Sequence, residues 1–173
     1  MEVGFTPNLI CDHDPPGPAG PDPQSFVTPA AMFLLAIAAA QSIAADAAFT
    51  CTPVRVWDGD GPIWCAEGPR VRLAGIAARE IDGTCRRNHP CPRFSGATAR
   101  DALVRLVGRR TGVSREGHVL VSGPRLRCVS AGGAGGSRTA AWCAGPQGDL
   151  SCAMIASGHA VRWDRYWRGR RCG

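Results

Sequence analysis

PVRVWDGDGPIWCAEGPRVRLAGI, residues 53–76, reads as three short strands and the turns that join them. From Thr52 to Trp57 the side chains alternate, Val54 and Val56 to one face and Arg55 and Trp57 to the other, which is the period of a strand. Asp58-Gly59-Asp60-Gly61 has the composition of a tight turn. Ile63-Trp64-Cys65 and Val71-Arg72-Leu73-Ala74-Gly75-Ile76 follow as strands, parted by Glu67-Gly68-Pro69.

Beyond this stretch, a polar loop runs from Ala77 to Arg93. A helix is expected from Ser95 to Arg109, where Ala99, Leu103, Leu106 and Val107 recur at helical spacing and Ser95 supplies the cap. His118–Val121 and Leu126–Val129 read as strands. The glycine loop Ala131–Gly136 leads into another at Arg138–Cys143. Asp149 caps a second helix, Leu150–Ala156, that stops at Gly158. Short strands with a helix inserted after the third predict an α+β domain: a five-stranded Greek-key β-barrel of the OB type with two packed helices.

Every fixed cation is an arginine: there are twenty, with no lysine, and the first is Arg55. From Ala48 onward 20 Arg face 9 acids, a balance of 20 − 9 = +11, which suits a polyanionic partner such as DNA, RNA or an anionic membrane surface. Residues 1–31 are proline-rich and read as a disordered leader or an extension upstream of the true start at Met32. The apolar run 32–40, too short to span a bilayer, and Ala45-Asp46-Ala47 after it have the form of a signal peptide, 32–47, with Ala48 as mature start. That gives a domain at 48–168, a tail at 169–173, a secreted or periplasmic location and no stable membrane insertion after cleavage.

Export fits the cysteines. Eight follow Ala48, an even number in a small domain, and among about 105 pairings local geometry favours one. Cys51 and Cys65 flank the aspartate turn, and Cys128 and Cys143 flank the glycine loop. Cys85 and Cys91 close a short loop, and Cys152 ties the last helix to Cys172. The rival reading, a zinc site at Cys85–Cys91, lacks the spacing of a zinc knuckle.

Asp60, Arg72, Glu80 and Arg138 together have the chemistry that phosphodiester hydrolysis needs. Guanidiniums neutralise the phosphorane oxygens, a carboxylate takes a proton from water, and an aspartate holds a hard cation. Singly, each has a plainer role: a hairpin turn, a salt-bridged strand arginine, a surface ion pair with Arg79, Arg86 or Arg87, a solvated strand start. Trp163, Tyr166 and Trp167, interleaved with arginines, suit stacking on nucleobases or packing at the domain's end. His89, His118 and His159 read as surface or loop residues.

From about Thr52 to Tyr166 the chain resembles the staphylococcal-nuclease-like (thermonuclease) family, through RVWDGDG, VRLAGIAARE, SGATARDALVRLVG, GGSRTAAWC and DLSCAMIASGHAV in the family's order. The resemblance implies an OB barrel and an endonuclease of low sequence specificity that cleaves DNA or RNA with Ca²⁺. It implies Asp60 as metal ligand, Arg72 and Arg138 as catalytic arginines and Glu80 as general base. The arginine-aromatic pattern at Trp163 and Tyr166 makes single-stranded DNA or RNA the expected partner, and the expected state is a monomer. The chain departs from the family at Ala77, where a second metal-ligating aspartate is expected, and at Arg79, where a proline is usual. These departures point to a weakened calcium site, to Mg²⁺ held through water, or to help from Asp58 or Asp82. The alternative is a catalytically impaired nucleic-acid-binding module of the periplasm.

Overall fold

The computed structural model describes residues 42–173. The leader at 1–31 and most of the signal segment at 32–47 lie outside them. The described chain is a mixed α+β structure with one large open sheet and few helices. Its first half runs Ala48–Cys51 (β1), Pro53–Val56 (β2), Ile63–Cys65 (β3), Arg70–Leu73 (β4), Ile76–Ala77 (β5) and Gly96–Val107 (α1). Arg109–Val113 (β6), Val119–Ser122 (β7), Leu126–Gly133 (β8), Arg138–Gly145 (β9) and Gly148–Asp149 (β10) follow, then Leu150–Ala156 (α2), Val161–Arg162 (β11) and Asp164–Trp167 (α3).

Nine strands form the main sheet in the order β1-β8-β9-β4-β3-β2-β7-β6, with β10 folded back on β9. Every pairing is antiparallel except β4 with β9, which run parallel with Arg70 opposite Arg138 and Arg72 opposite Ala140. A separate two-stranded ribbon joins β11 to β5. The core gathers one face of each element: Val56, Ile63, Val71, Leu103, Leu126 and Met154 are fully buried.

Both expected helices form where their caps place them. Ser95 Oγ accepts from Thr98 N–H, and Asp149 Oδ1 accepts from Cys152 N–H. Two local expectations need correction. Val54 does not share a face with Val56: the β2–β3 register shifts between Pro53 and Arg55, and this bulge turns Val54 outward to 38% exposure. Arg109 belongs not to α1 but to β6, because Gly108 ends the helix and the chain turns back along β7.

The four disulfides are Cys51–Cys65, Cys85–Cys91, Cys128–Cys143 and Cys152–Cys172, the pairing expected from local spacing, so Cys85 and Cys91 hold no zinc. Four disulfides suit an oxidising compartment. Among the described residues no helix is long and apolar enough to cross a membrane.

The segment just before β1 is tied down. Ile43 N–H donates to Thr139 Oγ1 and Ile43 O accepts from Ser130 Oγ, each at 2.9 Å. Asp46 N–H donates to Ser130 O, and Ser130 N–H to Ala47 O. Ser130 and Thr139 are buried polar residues whose hydroxyls bond to Ile43. A chain beginning at residue 48 should therefore be less stable than one beginning at residue 42, by about 2–4 kcal/mol for lost bonds and exposed strand edge. Urea unfolding midpoints of the two chains measure the difference.

Candidate functional site

The site is built around the aspartate turn. Asp60 N–H donates to Asp58 Oδ1 at 3.2 Å, and Leu73 N–H donates to Asp60 O at 2.8 Å, which fastens the turn to the end of β4. Gly59 is required by close approach, since a Cβ there would overlap the Cβ of Ala99 in α1. Asp60 is almost wholly buried. Its Oδ2 receives Arg72 Nη2 at 2.5 Å and Ala78 N–H at 3.2 Å.

Glu80 is placed by its backbone. Its N–H donates to Thr84 O, and its carbonyl accepts from Gly83 N–H. The first turn of α1 lies directly against that carbonyl, so Gly96 has no room for a side chain. Both carboxylate oxygens of Glu80 face Arg86, with Nε at 2.6 Å and Nη2 at 3.3 Å. Asp82 is exposed and caps Thr84 through both its N–H and its hydroxyl, so it shapes this turn and supplies nothing to the cleft. Arg79, which stands where the family has a proline, donates to Gly83 O and Pro92 O and braces the loop between them.

Register brings the second arginine in. Arg70 lies opposite Arg138 in the parallel β4–β9 pair, so Arg72, two residues on, shares that face and is Arg138's diagonal neighbour. Arg138 is steadied by Nε donating to Gly135 O in the glycine loop. From the other side, β11 pairs with β5 and Trp163 N–H donates to Gly75 O, which delivers Trp163 and Tyr166 to the same place. Tyr166 is 44% exposed and stands edge-on to Trp163. Trp167, next in sequence, does the packing instead, buried edge-on against Trp142.

Arg72, Arg86, His89, Arg138, Trp163 and Tyr166 therefore line one cleft of about 450 Å³. Of the residues singled out in the sequence, Arg72, Arg138, Trp163 and Tyr166 face it directly. Asp60 lies beneath Arg72, and Glu80 lies beside Arg86. Two residues were missed. Arg86 was weighed only as a surface partner of Glu80, and His89 as a loop residue. His89 packs its ring on Trp163 at 4.1 Å. Burial and then the charges of Arg72 and Arg86 lower its pKa, so it is neutral near pH 7. The signal in the sequence was the short Cys85–Cys91 span, which forces residues 86–90 into a compact projection.

The donor set does not fit a calcium ion. Among the described residues no group of three or more His, Cys, Asp or Glu side chains stands close enough to hold a metal. Ala77 contributes only a buried methyl, and of the two buried carboxylates Asp60 is already paired with Arg72 while Asp58 accepts from the Asp60 N–H. Calcium takes six to eight oxygens.

Comparison of the chain with protein-family models, curated proteins and solved structures found no match.

Asp58 gives the site a pH signature. Burial, then the charge of Asp60, pushes its pKa from 3.8 to about 8, and burial raises that of Asp60 as well despite Arg72. Between those values the folded chain holds a proton that the unfolded chain releases. The stabilisation is complete below about pH 3.8 and is lost as pH rises through about 8. Unfolding free energy should fall from pH 5 to pH 8, and Asp58→Asn should flatten that slope. Urea titrations at both pH values measure it.

Proposed function

We propose that the protein is a phosphodiesterase of the thermonuclease type, acting on single-stranded DNA or RNA outside the cytoplasm. One observation carries this: the two family-type arginines, Arg72 and Arg138, share a cleft with Trp163 and Tyr166, and Glu80 is paired with Arg86, which lines the same cleft. The OB-type reading of the fold draws on the parallel β4–β9 pair, which joins an early hairpin to the last long strand, and on the partly open character of such barrels.

A phosphate in this cleft is gripped by Arg72 and Arg138, while Trp163 and Tyr166 offer a base a stacking face. Arg86 has a choice of partners. Its pair with Glu80 is half exposed and stabilises by only about 0–1 kcal/mol, so an arriving phosphate draws Arg86 away and frees the carboxylate. Glu80 then takes a proton from water as the water oxygen bonds to phosphorus. The P–O ester bond breaks, and the departing oxygen takes a proton from solvent. The guanidiniums offset the charge that builds on the phosphorane. The calcium ion implied by the resemblance has too few oxygens here, and these steps belong to the chain's own side chains.

A single-strand-binding module without turnover is the second reading, favoured by Ala77 and by the occupied state of Glu80. One comparison separates the two. Glu80→Gln should lower cleavage of denatured DNA about 10²- to 10⁴-fold while leaving salt-sensitive binding in place. Binding with no cleavage by the unaltered protein selects the module.

The cation is tested separately. Millimolar Ca²⁺ should leave the thermal midpoint of the protein unchanged, whereas Ala77→Asp should make it rise with Ca²⁺. Calorimetry with and without chelator shows either result.

A further inference from the structure

A second cleft, of about 370 Å³, adjoins the first, and Arg72, Arg86 and Arg138 border both. Trp57, Pro62, Trp64 and His118 wall it, and two acids, Asp58 and Glu116, also lie on its lining. Of these only Asp58 entered the site described above.

The sheet register explains the cluster. Arg55 on β2 lies opposite Trp64 on β3, Trp64 opposite Arg70 on β4, and Arg70 opposite Arg138 on β9. Directly opposed residues share a face, so Arg55, Trp64, Arg70 and Arg138 form one row across four neighbouring strands. At a strand spacing of about 4.8 Å the row is about 14 Å long. None of the four is buried. The Trp64 ring carries the Arg55 guanidinium at 5.1 Å and that of Arg70 at 5.8 Å. His118 stands edge-on to Trp64 at 4.4 Å and tilts against Trp57 at 5.0 Å. Burial and the charge of Arg55 lower the His118 pKa, which leaves a neutral ring in the aromatic wall.

This row has no structural purpose in the core. A tryptophan face set among arginines, beside Trp57 and continuous with an arginine-lined cleft, matches a flexible chain of bases and phosphates. A duplex, whose bases are stacked inward, has no use for the aromatic members.

We propose that the Arg55–Trp64–Arg70–Arg138 row and the Trp57–His118 cleft beside it form a second subsite for single-stranded polynucleotide. It takes the base and phosphates on the side of Arg72 and Arg138 opposite Trp163 and Tyr166. The inference rests on the polynucleotide reading above and extends it from one nucleotide to several.

The test uses the disulfide-intact chain carrying Glu80→Gln, so that binding is read without cleavage. Two probes are titrated: thymidine 5′-monophosphate, which reaches only the first cleft, and a fluorescent eight-residue oligothymidylate, which reaches both. Trp64→Ala should weaken the oligonucleotide about tenfold and leave the mononucleotide unchanged, while Trp64→Phe retains most of the affinity. Arg55→Ala with Arg70→Ala, both outward-facing and safe for folding, should flatten the salt dependence of oligonucleotide binding by about 0.7 per arginine. If both probes bind and none of these variants shifts the oligonucleotide, the second subsite is refuted and the first reading stands. The same holds if duplex binds as tightly as the oligonucleotide and is equally indifferent to Trp64. If neither probe binds the parent, both readings fall.

Discussion

The buried pair between Asp60 and Arg72 is the constraint on which the arrangement rests. Asp60 is taken out of water at the bottom of a turn, and Arg72 together with the Ala78 N–H compensates its charge. Removing one partner of such a pair costs about 3–5 kcal/mol, because the other is left buried alone. The pair locks the turn to β4 and to the chain beyond β5, and it holds Arg72 in one orientation. Arg72 is thereby a fixed post at the rim where the two clefts meet, with the Trp163 ring 5.9 Å from its guanidinium.

Around that post the rest is assembled by register and by short tethers. The parallel strand pair sets Arg138 on the same face, and the β11–β5 ribbon carries the aromatic tail to its other side. Asp82, Thr84 and Arg79 fold the loop after β5 so that Glu80 and Arg86 meet. Of the cleft residues named above, Tyr166 alone lies within a helix, the four-residue α3. Helix α1 acts through its first turn, where Gly96 lets the backbone of Glu80 approach.

Much of this was legible in the chain. Ser95 and Asp149 announce their helices because a side-chain oxygen at the cap meets a backbone N–H three residues on. The cysteine pairs could be read because Cys128 lies opposite Cys143 in the β8–β9 hairpin, and Cys51 stands two residues before Pro53, which lies opposite Cys65 in the β2–β3 hairpin. What escaped has no local signature. Val54 keeps the alternation of a strand, and only the register of its neighbours reveals the bulge. The row of opposed residues from Arg55 to Arg138 spans more than eighty positions and exists only once four strands are aligned. Arg86 and His89 lie in a segment without periodicity, so their place is set by tertiary bonds and by Cys85–Cys91.

That last bridge has a consequence of its own. It encloses five residues, two of which, Arg86 and His89, complete the wall of the cleft. Without the bridge, the loop's covalent closure is gone, and these two side chains are left to a half-exposed ion pair and one ring contact. A freshly made chain in reducing surroundings thus carries an unfinished cleft, and oxidation finishes it. The arginine-bearing wall of the cleft is then loose where thiols persist and closed where they do not.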